Sequence, residues 1–282
     1  MIAACMVMLV IRSPTVLSSE LVERGEYLFR AAGCAGCHTD ADNEGAFLAG
    51  GRPLPTPFGT FYSPNITSDP TEGIGDWSAD DFVRAMREGV DPDGEHYYPV
   101  FPYTSYTGMK VEDLVALYAY LQQVPPSTQP NRTHDLPWHM SYRIVNWAWK
   151  LLFLEPGPFK PDRERSPDWN RGAYLVTGLA HCGECHTPRN RLGVLDQQRS
   201  MAGATLKPGD EVAPNITPDT RDGIGNWKHP DLVEFLRSGR YYDGEFTDGS
   251  MEEVVDNGLS YLSTPDLEAI SEYIFSLPPR SK

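Results

Sequence analysis

The sequence predicts a mainly α fold of two tandem modules joined by long irregular loops. Three observations carry that reading. Five segments recur in the same order at an offset of 147–150 residues. Apolar residues between them follow helical spacing. The 282 residues include 25 Gly and 25 Pro, so loops are plentiful. Composition narrows the field further. Lys and Arg total 24 against 39 Asp and Glu, a formal net charge of −15. A chain this acidic repels phosphate, so nucleic acid is excluded as a partner. No uninterrupted apolar run reaches the length of a membrane-spanning helix, which excludes a polytopic membrane protein.

Taken in order, Met1–Ile11 is an unbroken apolar stretch followed by Arg12. Residues 1–19 read as the end of a signal segment cleaved near Ser18 or Ser19, or as the tail of a membrane anchor. A buried core strand is the third reading. The first two imply export, and they assign Cys5 to the targeting segment.

The repeat follows. Arg24-Gly25-Glu26-Tyr27-Leu28 recurs as Arg171-Gly172-Ala173-Tyr174-Leu175. Cys34-Ala35-Gly36-Cys37-His38-Thr39 recurs as Cys182-Gly183-Glu184-Cys185-His186-Thr187. Pro64-Asn65-Ile66-Thr67, Gly73-Ile74-Gly75-Asp76-Trp77 and Asp93-Gly94-Glu95 recur from Pro214, Gly223 and Asp243. A period this long means two copies of a domain, which divides the chain into modules 20–124 and 169–282.

Within each module the helices can be placed. One is expected over Ser19–Ala32. Ser78 with Asp81 reads as an N-cap pair, followed by Phe82, Val83 and Met86 up to Gly89. In the second copy Pro230, Leu232, Val233, Phe235 and Leu236 lead to a stop at Gly239. Leu114, Leu117, Tyr118 and Leu121 form a helical stripe, as do Leu267, Ile270 and Ile274 after Ser263-Thr264-Pro265. Gly50–Pro64 and Ala202–Pro214 are expected as loops. Residues 125–168 are rich in Pro and Trp and read as a connector pinned by its aromatics, in preference to a docking or membrane-facing patch.

Cys-x-x-Cys-His is the signature of covalent c-type haem attachment. Two thiols three residues apart reach both vinyl groups of one haem, and the adjacent His lies under the iron. Two matches at equivalent repeat positions point to two covalent haems. Cys34, Cys37, Cys182 and Cys185 are the anchors, and His38 and His186 the proximal iron ligands. Neither a thioredoxin-like context nor a shared zinc site explains the following His in each copy. The distal position calls for a Met thioether in a loop before the last helix. Met109 and Met251 are the candidates, with His96 as the competitor to Met109. Met86 reads as core filler, and Met201 lies too early in the chain. His181 cannot reach the distal face of the haem held by its neighbour Cys182. Trp77 and Trp227 read either as core residues or as indole donors to a haem propionate. Asn65 and Asn215 read as polar contacts of the loop or haem edge. Each module is then a class I cytochrome c-like domain wrapped around one haem.

The repeated arginine–glycine segment, Gly51-Arg52-Pro53-Leu54-Pro55-Thr56-Pro57-Phe58-Gly59-Thr60, Gly73–Ser78, Leu151–Phe159 and His181–Asn190 resemble the multihaem cytochrome c subunits of bacterial membrane-bound alcohol and gluconate dehydrogenases. The resemblance runs from about residue 20 to the end. It implies a periplasmic protein, with an N-terminal membrane association where the anchor reading holds. It implies electrons accepted from a dehydrogenase and passed to a quinone, a cytochrome or an oxidase. Members of that family usually carry three haems, whereas this chain has two motifs. The expectation is therefore a diheme electron carrier, or the electron-transfer subunit of a dehydrogenase, more than a stand-alone enzyme. The alternative is a diheme enzyme, peroxidase-like or thiosulfate-oxidising, in which Glu95 and His96 become the candidate acid–base groups if the first module lacks a Met ligand.

Overall fold

A computed structural model describes residues 14–140, 142–207 and 211–281. The apolar stretch Met1–Ile11 and Cys5 lie outside the described residues. In chain order the helices are α1 (Pro14–Ala31), α2 (Cys34–His38), α3 (Ala79–Glu88), α4 (Tyr103–Tyr106), α5 (Val111–Leu121), α6 (Ile144–Phe153), α7 (Pro167–Tyr174), α8 (Gly183–His186), α9 (His229–Ser238), α10 (Gly249–Asn257) and α11 (Thr264–Phe275). Two antiparallel hairpins, β1 (Pro53–Thr56) with β2 (Gly59–Tyr62) and β3 (Ala204–Lys207) with β4 (Glu211–Ala213), are the named strands among the described residues. The fold is mainly α, as the periodicity predicts.

The helix ends obey local chemistry. Ser78 Oγ accepts from the Asp81 N–H at 3.1 Å, and the Asp81 carboxylate accepts from the Ser78 N–H at 3.1 Å. This closes a capping box on α3. Gly89 ends α3 and Gly239 ends α9, at φ 61° and 71°. Ser166 Oγ caps α7 by accepting from the Trp169 N–H at 2.9 Å. The stripes on α5 and α11 face inward, with Leu114, Leu117, Leu121, Leu267, Ile270 and Ile274 all buried.

Three expectations change. First, α1 starts at Pro14, five residues before Ser19, with its proline in the first turn where the missing N–H is harmless. Second, Gly50–Pro64 and Ala202–Pro214 are not irregular throughout, since each contains a hairpin. Strands of three or four residues, two of them proline in β1, are too short to show alternation.

Third, polar groups more than aromatics pin the connector. Asn146 and Lys150 are the buried residues of α6, while Ile144, Leu151 and Leu152 on the same helix face solvent. Lys150 Nζ donates to the carbonyls of Glu88 and Gly89 at 2.7 and 2.8 Å, capping the end of α3. Asn146 Nδ2 donates to the His96 carbonyl at 3.1 Å. Trp149 helps by donating to the Leu192 carbonyl at 2.9 Å, but Trp138 is 76% exposed. Upstream, Asp135 exchanges two 2.9 Å backbone bonds with Thr60 and docks the connector on the first hairpin.

The repeated arginine–glycine segment explains the main packing. α1 crosses α5, and α7 crosses α11. A Cβ on Gly25 would fall 2.0 Å from the Ala116 carbonyl oxygen, and one on Gly172 would fall 1.9 Å from that of Ala269. Only glycine permits these close crossings. Arg24 pairs with Asp113, and Arg171 with Asp266. The two crossings share one apolar core running from Leu28 to Ile274.

Candidate haem site

Each Cys-x-x-Cys-His segment forms one short turn of helix entered through a left-handed residue, Gly33 at φ 64° or His181 at φ 38°. The turn holds both cysteines and the histidine within five consecutive residues. Cys37 and Cys185 are open to solvent, and Cys34 and Cys182 partly so. Protein nevertheless surrounds these thiols. Burial, reinforced by the neighbouring cysteine, pushes Cys34 and Cys182 up to about 12. Burial raises Cys185 to about 11 and also raises Cys37.

The histidines carry the sharpest signature. His38 Nδ1 lies 2.8 Å from the Pro64 carbonyl, and His186 Nδ1 lies 2.7 Å from the Pro214 carbonyl. A carbonyl only accepts, so Nδ1 carries the proton in each ring. That leaves Nε2 as the lone-pair nitrogen, fixed in tautomer and direction, as a metal ligand requires. Burial also lowers both histidine pKa values and keeps the imidazoles neutral.

The Pro-Asn-Ile-Thr repeat is the device that aims these carbonyls. Asn65 Oδ1 accepts from the Thr67 N–H and Oγ1 at 3.0 and 2.7 Å, and Asn215 Oδ1 does the same for Thr217 at 2.8 and 2.7 Å. Asn65 Nδ2 donates to the Ser127 carbonyl at 2.8 Å, and Asn215 Nδ2 to that of Arg280 at 2.5 Å. Both asparagines are almost fully buried. They lock a loop, and the recurrence of the tetrapeptide was the signal for it.

Met109 is fully buried and lies directly before α5. The residue in the same position before α11 is Leu262, also buried. Met251 is not in a loop. It stands in the first turn of α10, a helix between α9 and α11 that also packs on α2. The sequence around Met251 hides this helix, because Gly249-Ser250 reads as a turn. Met201 is buried, and the Thr187 hydroxyl accepts from its N–H at 3.0 Å. Thr39 treats the buried Leu48 in the same way at 3.1 Å. Met201 is therefore the core counterpart of Leu48. His96 neighbours Glu95, Arg143, Ile144 and Trp147 around a separate recess beside α6. Trp77 and Trp227 are partly buried against the core, Trp227 among Phe235, Tyr241 and Tyr242.

Paired thiols and a tautomer-fixed imidazole, twice over in one repeated turn, define a c-type cytochrome architecture. Comparison with known proteins agrees. The cytochrome c family model matches residues 22–125. A diheme cytochrome c-type protein of Cereibacter sphaeroides is 43% identical over 90% of this chain and 85% of its own length. The fructose dehydrogenase cytochrome subunit of Gluconobacter japonicus is 41% identical over 93% of this chain and 53% of its own. The gluconate 2-dehydrogenase cytochrome c subunit of Pantoea cypripedii is 42% identical over 91% and 59%. The chain belongs to the cytochrome c family, whose members carry covalently bound haem c and transfer electrons. It spans little more than half the length of those dehydrogenase subunits.

Proposed function

We propose that this chain is a periplasmic diheme c-type cytochrome that takes electrons from a dehydrogenase and passes them to a quinone, cytochrome or oxidase. Haem iron, when bound, supplies one-electron redox chemistry. In this reading the chain forms two tandem domains, 20–124 and 169–282, each wrapped around one haem. Cys34 and Cys37 hold the first haem through thioethers, with His38 as proximal and Met109 as distal ligand. Cys182, Cys185, His186 and Met251 hold the second. The Trp77 and Trp227 indole N–H groups would donate to haem propionates. The observation that carries the reading is the matched pair of bonds between His38 and Pro64 and between His186 and Pro214. Fixing Nδ1–H on a carbonyl leaves Nε2 free and aimed in both repeats, as a metal ligand needs.

The dehydrogenase partner is inferred from relatives named as cytochrome subunits of fructose and gluconate dehydrogenases. The acidic surface suits partners with basic docking patches, with association slowing as salt rises. Association with the inner membrane through the N-terminal segment is part of the proposal.

The test is direct. In denaturing electrophoresis, haem stain remains with the chain at two haems per polypeptide. It falls by half in the Cys182→Ala, Cys185→Ala double variant. The oxidised protein shows the weak far-red absorption of Met–iron ligation from both haems. A high-spin signal from one haem defeats the carrier reading and points instead to a diheme enzyme.

A further inference from the structure

A side chain from one attachment segment reaches the backbone leading into the other. His181 Nε2 lies 3.3 Å from the carbonyl oxygen of Ala32. His181 immediately precedes Cys182, and Ala32 stands two residues before Cys34. The same carbonyl accepts from Tyr106 Oη at 3.3 Å. The Tyr106 and His181 rings meet edge to face, with centroids 5.3 Å apart and planes at 76°. Tyr106 is buried between the motifs. Burial, then Cys34, Cys37 and Glu184, raises its phenol well above its ordinary value. From the other side, Ser105 Oγ donates to Glu184 Oε1 at 2.6 Å and ties α4 to α8.

The backbone at His181 is unusual. At φ 38° it sits in the left-handed region, where its repeat counterpart is Gly33 at φ 64°. A non-glycine residue there is strained, and such strain concentrates at functional positions. Glycine would relieve it. What glycine cannot provide is the imidazole that reaches Ala32.

We propose that His181 is the bridge by which electrons cross between the two haems. This rests on the reading that both motifs carry haem. Electronic coupling between redox centres falls steeply with distance, and less steeply through covalent and hydrogen bonds than across van der Waals gaps. Cys34, Gly33, the Ala32 carbonyl, His181 Nε2 and Cys182 form a continuous bonded route with one hydrogen bond in it. In each crossing one electron passes from ferrous to ferric iron. No bond is made or broken, and the proton stays on Nε2. Gly33 has no side chain, so repeat symmetry supplies no second bridge of this kind.

The test uses the full two-haem protein, photoreduced by a flash and followed by time-resolved visible absorption. His181→Gly restores the residue found in the other repeat. Its inter-haem step is expected to slow by an order of magnitude, while the haem spectra and the rate of reduction from outside stay unchanged. His181→Phe keeps a ring without a donor and is expected to be equally slow, which covers failure of the glycine variant to fold. His181→Gln keeps an N–H donor and is expected to recover most of the rate. An unchanged inter-haem rate in the Gly or Phe variant overturns the bridge, as does a Gln variant no faster than either. Haem stain of the unaltered chain showing fewer than two haems overturns the underlying diheme reading instead.

Discussion

Tyr27 and Tyr174 cross over: each occupies the same place in its own repeat, and each donates its hydroxyl to the other repeat's aspartate. Tyr27 Oη reaches Asp266 at 2.6 Å, and Tyr174 Oη reaches Asp113 at 2.6 Å. Each aspartate is held meanwhile by the arginine of its own repeat, Arg171 or Arg24. The repeated Arg-Gly-x-Tyr-Leu segment thus does three jobs in five residues. Arg fastens the local carboxylate, Gly admits the crossing helix, and Tyr clasps the other half. The two repeats are related by an approximate twofold arrangement at this clasp. The clasp holds α1 and α7, the helices that lead into the two Cys-x-x-Cys-His turns.

Removing one hydroxyl from the clasp is expected to destabilise the haem-loaded protein without altering its spectrum. A hydrogen bond to a charged acceptor contributes about 1.5–3 kcal/mol. The Tyr174–Asp113 bond is buried and the Tyr27–Asp266 bond only partly so. Tyr174→Phe should therefore fall near the upper end of that range and Tyr27→Phe near the lower, as read by denaturant unfolding.

The glycines should be less forgiving than the tyrosines. Ala at Gly25 or Gly172 would place a methyl against a carbonyl oxygen of the crossing helix. Neither helix can yield without moving its half of the core. Overpacking of this kind destabilises by about 1–3 kcal/mol and occasionally more. Gly25→Ala and Gly172→Ala should each reach at least the top of that range in denaturant unfolding. Gly178→Ala is the control, since its added methyl makes only ordinary contact, 3.8 Å from the Ser105 carbonyl oxygen.

Acid should open the clasp from the Asp266 side. Burial raises the Asp266 pKa, but the bonds from Arg171 and Tyr27 outweigh it and hold the carboxyl below its ordinary 3.8. Above 3.8 the group is ionised both folded and unfolded, and its stabilisation is complete. Below 3.8 the unfolded chain takes up the proton first, so stability falls as pH drops through the folded value. The difference in stability between the unaltered protein and Asp266→Asn should be constant above pH 5 and shrink below about pH 4. A difference that does not change with pH would refute the assignment.

How much of this could be read from sequence depends on how local each feature is. Caps at Ser78, Gly89 and Gly239 were legible, because a cap is decided within four residues. The Cys-x-x-Cys-His turns were legible for the same reason. The partners of Arg24 and Tyr27 lie 89 and 239 residues away, and no periodicity announces them. The repeat marked the Pro-Asn-Ile-Thr loop without revealing that its proline carbonyl aims at His38 or His186. α6 misled because its aromatic composition suggests an inward face. Two polar residues, Asn146 and Lys150, turn the helix over by capping carbonyls that hydrophobic pattern cannot locate. α10 escaped notice because it has no counterpart in the first repeat, where the buried Met comes directly before the last helix.

The contrast between Met201 and Met109 yields a prediction about which thioethers meet iron. Met201 fills the place that Leu48 fills in the first repeat, with the same threonine contact and a left-handed backbone at φ 61° against 59°. Leucine demonstrably suits that place. Met201→Leu conserves volume, so the change in stability should stay below about 1.5 kcal/mol, with both far-red Met–iron bands retained. Met109→Leu conserves volume equally and sits in an equally apolar, fully buried position. Its packing should suffer as little, but the far-red band of the first haem should vanish and its potential fall, because the thioether that favours reduced iron is gone. Oxidised visible spectra of the two variants, with a redox titration of each, separate packing from ligation. A far-red band lost in Met201→Leu, or kept whole in Met109→Leu, would reverse the assignment.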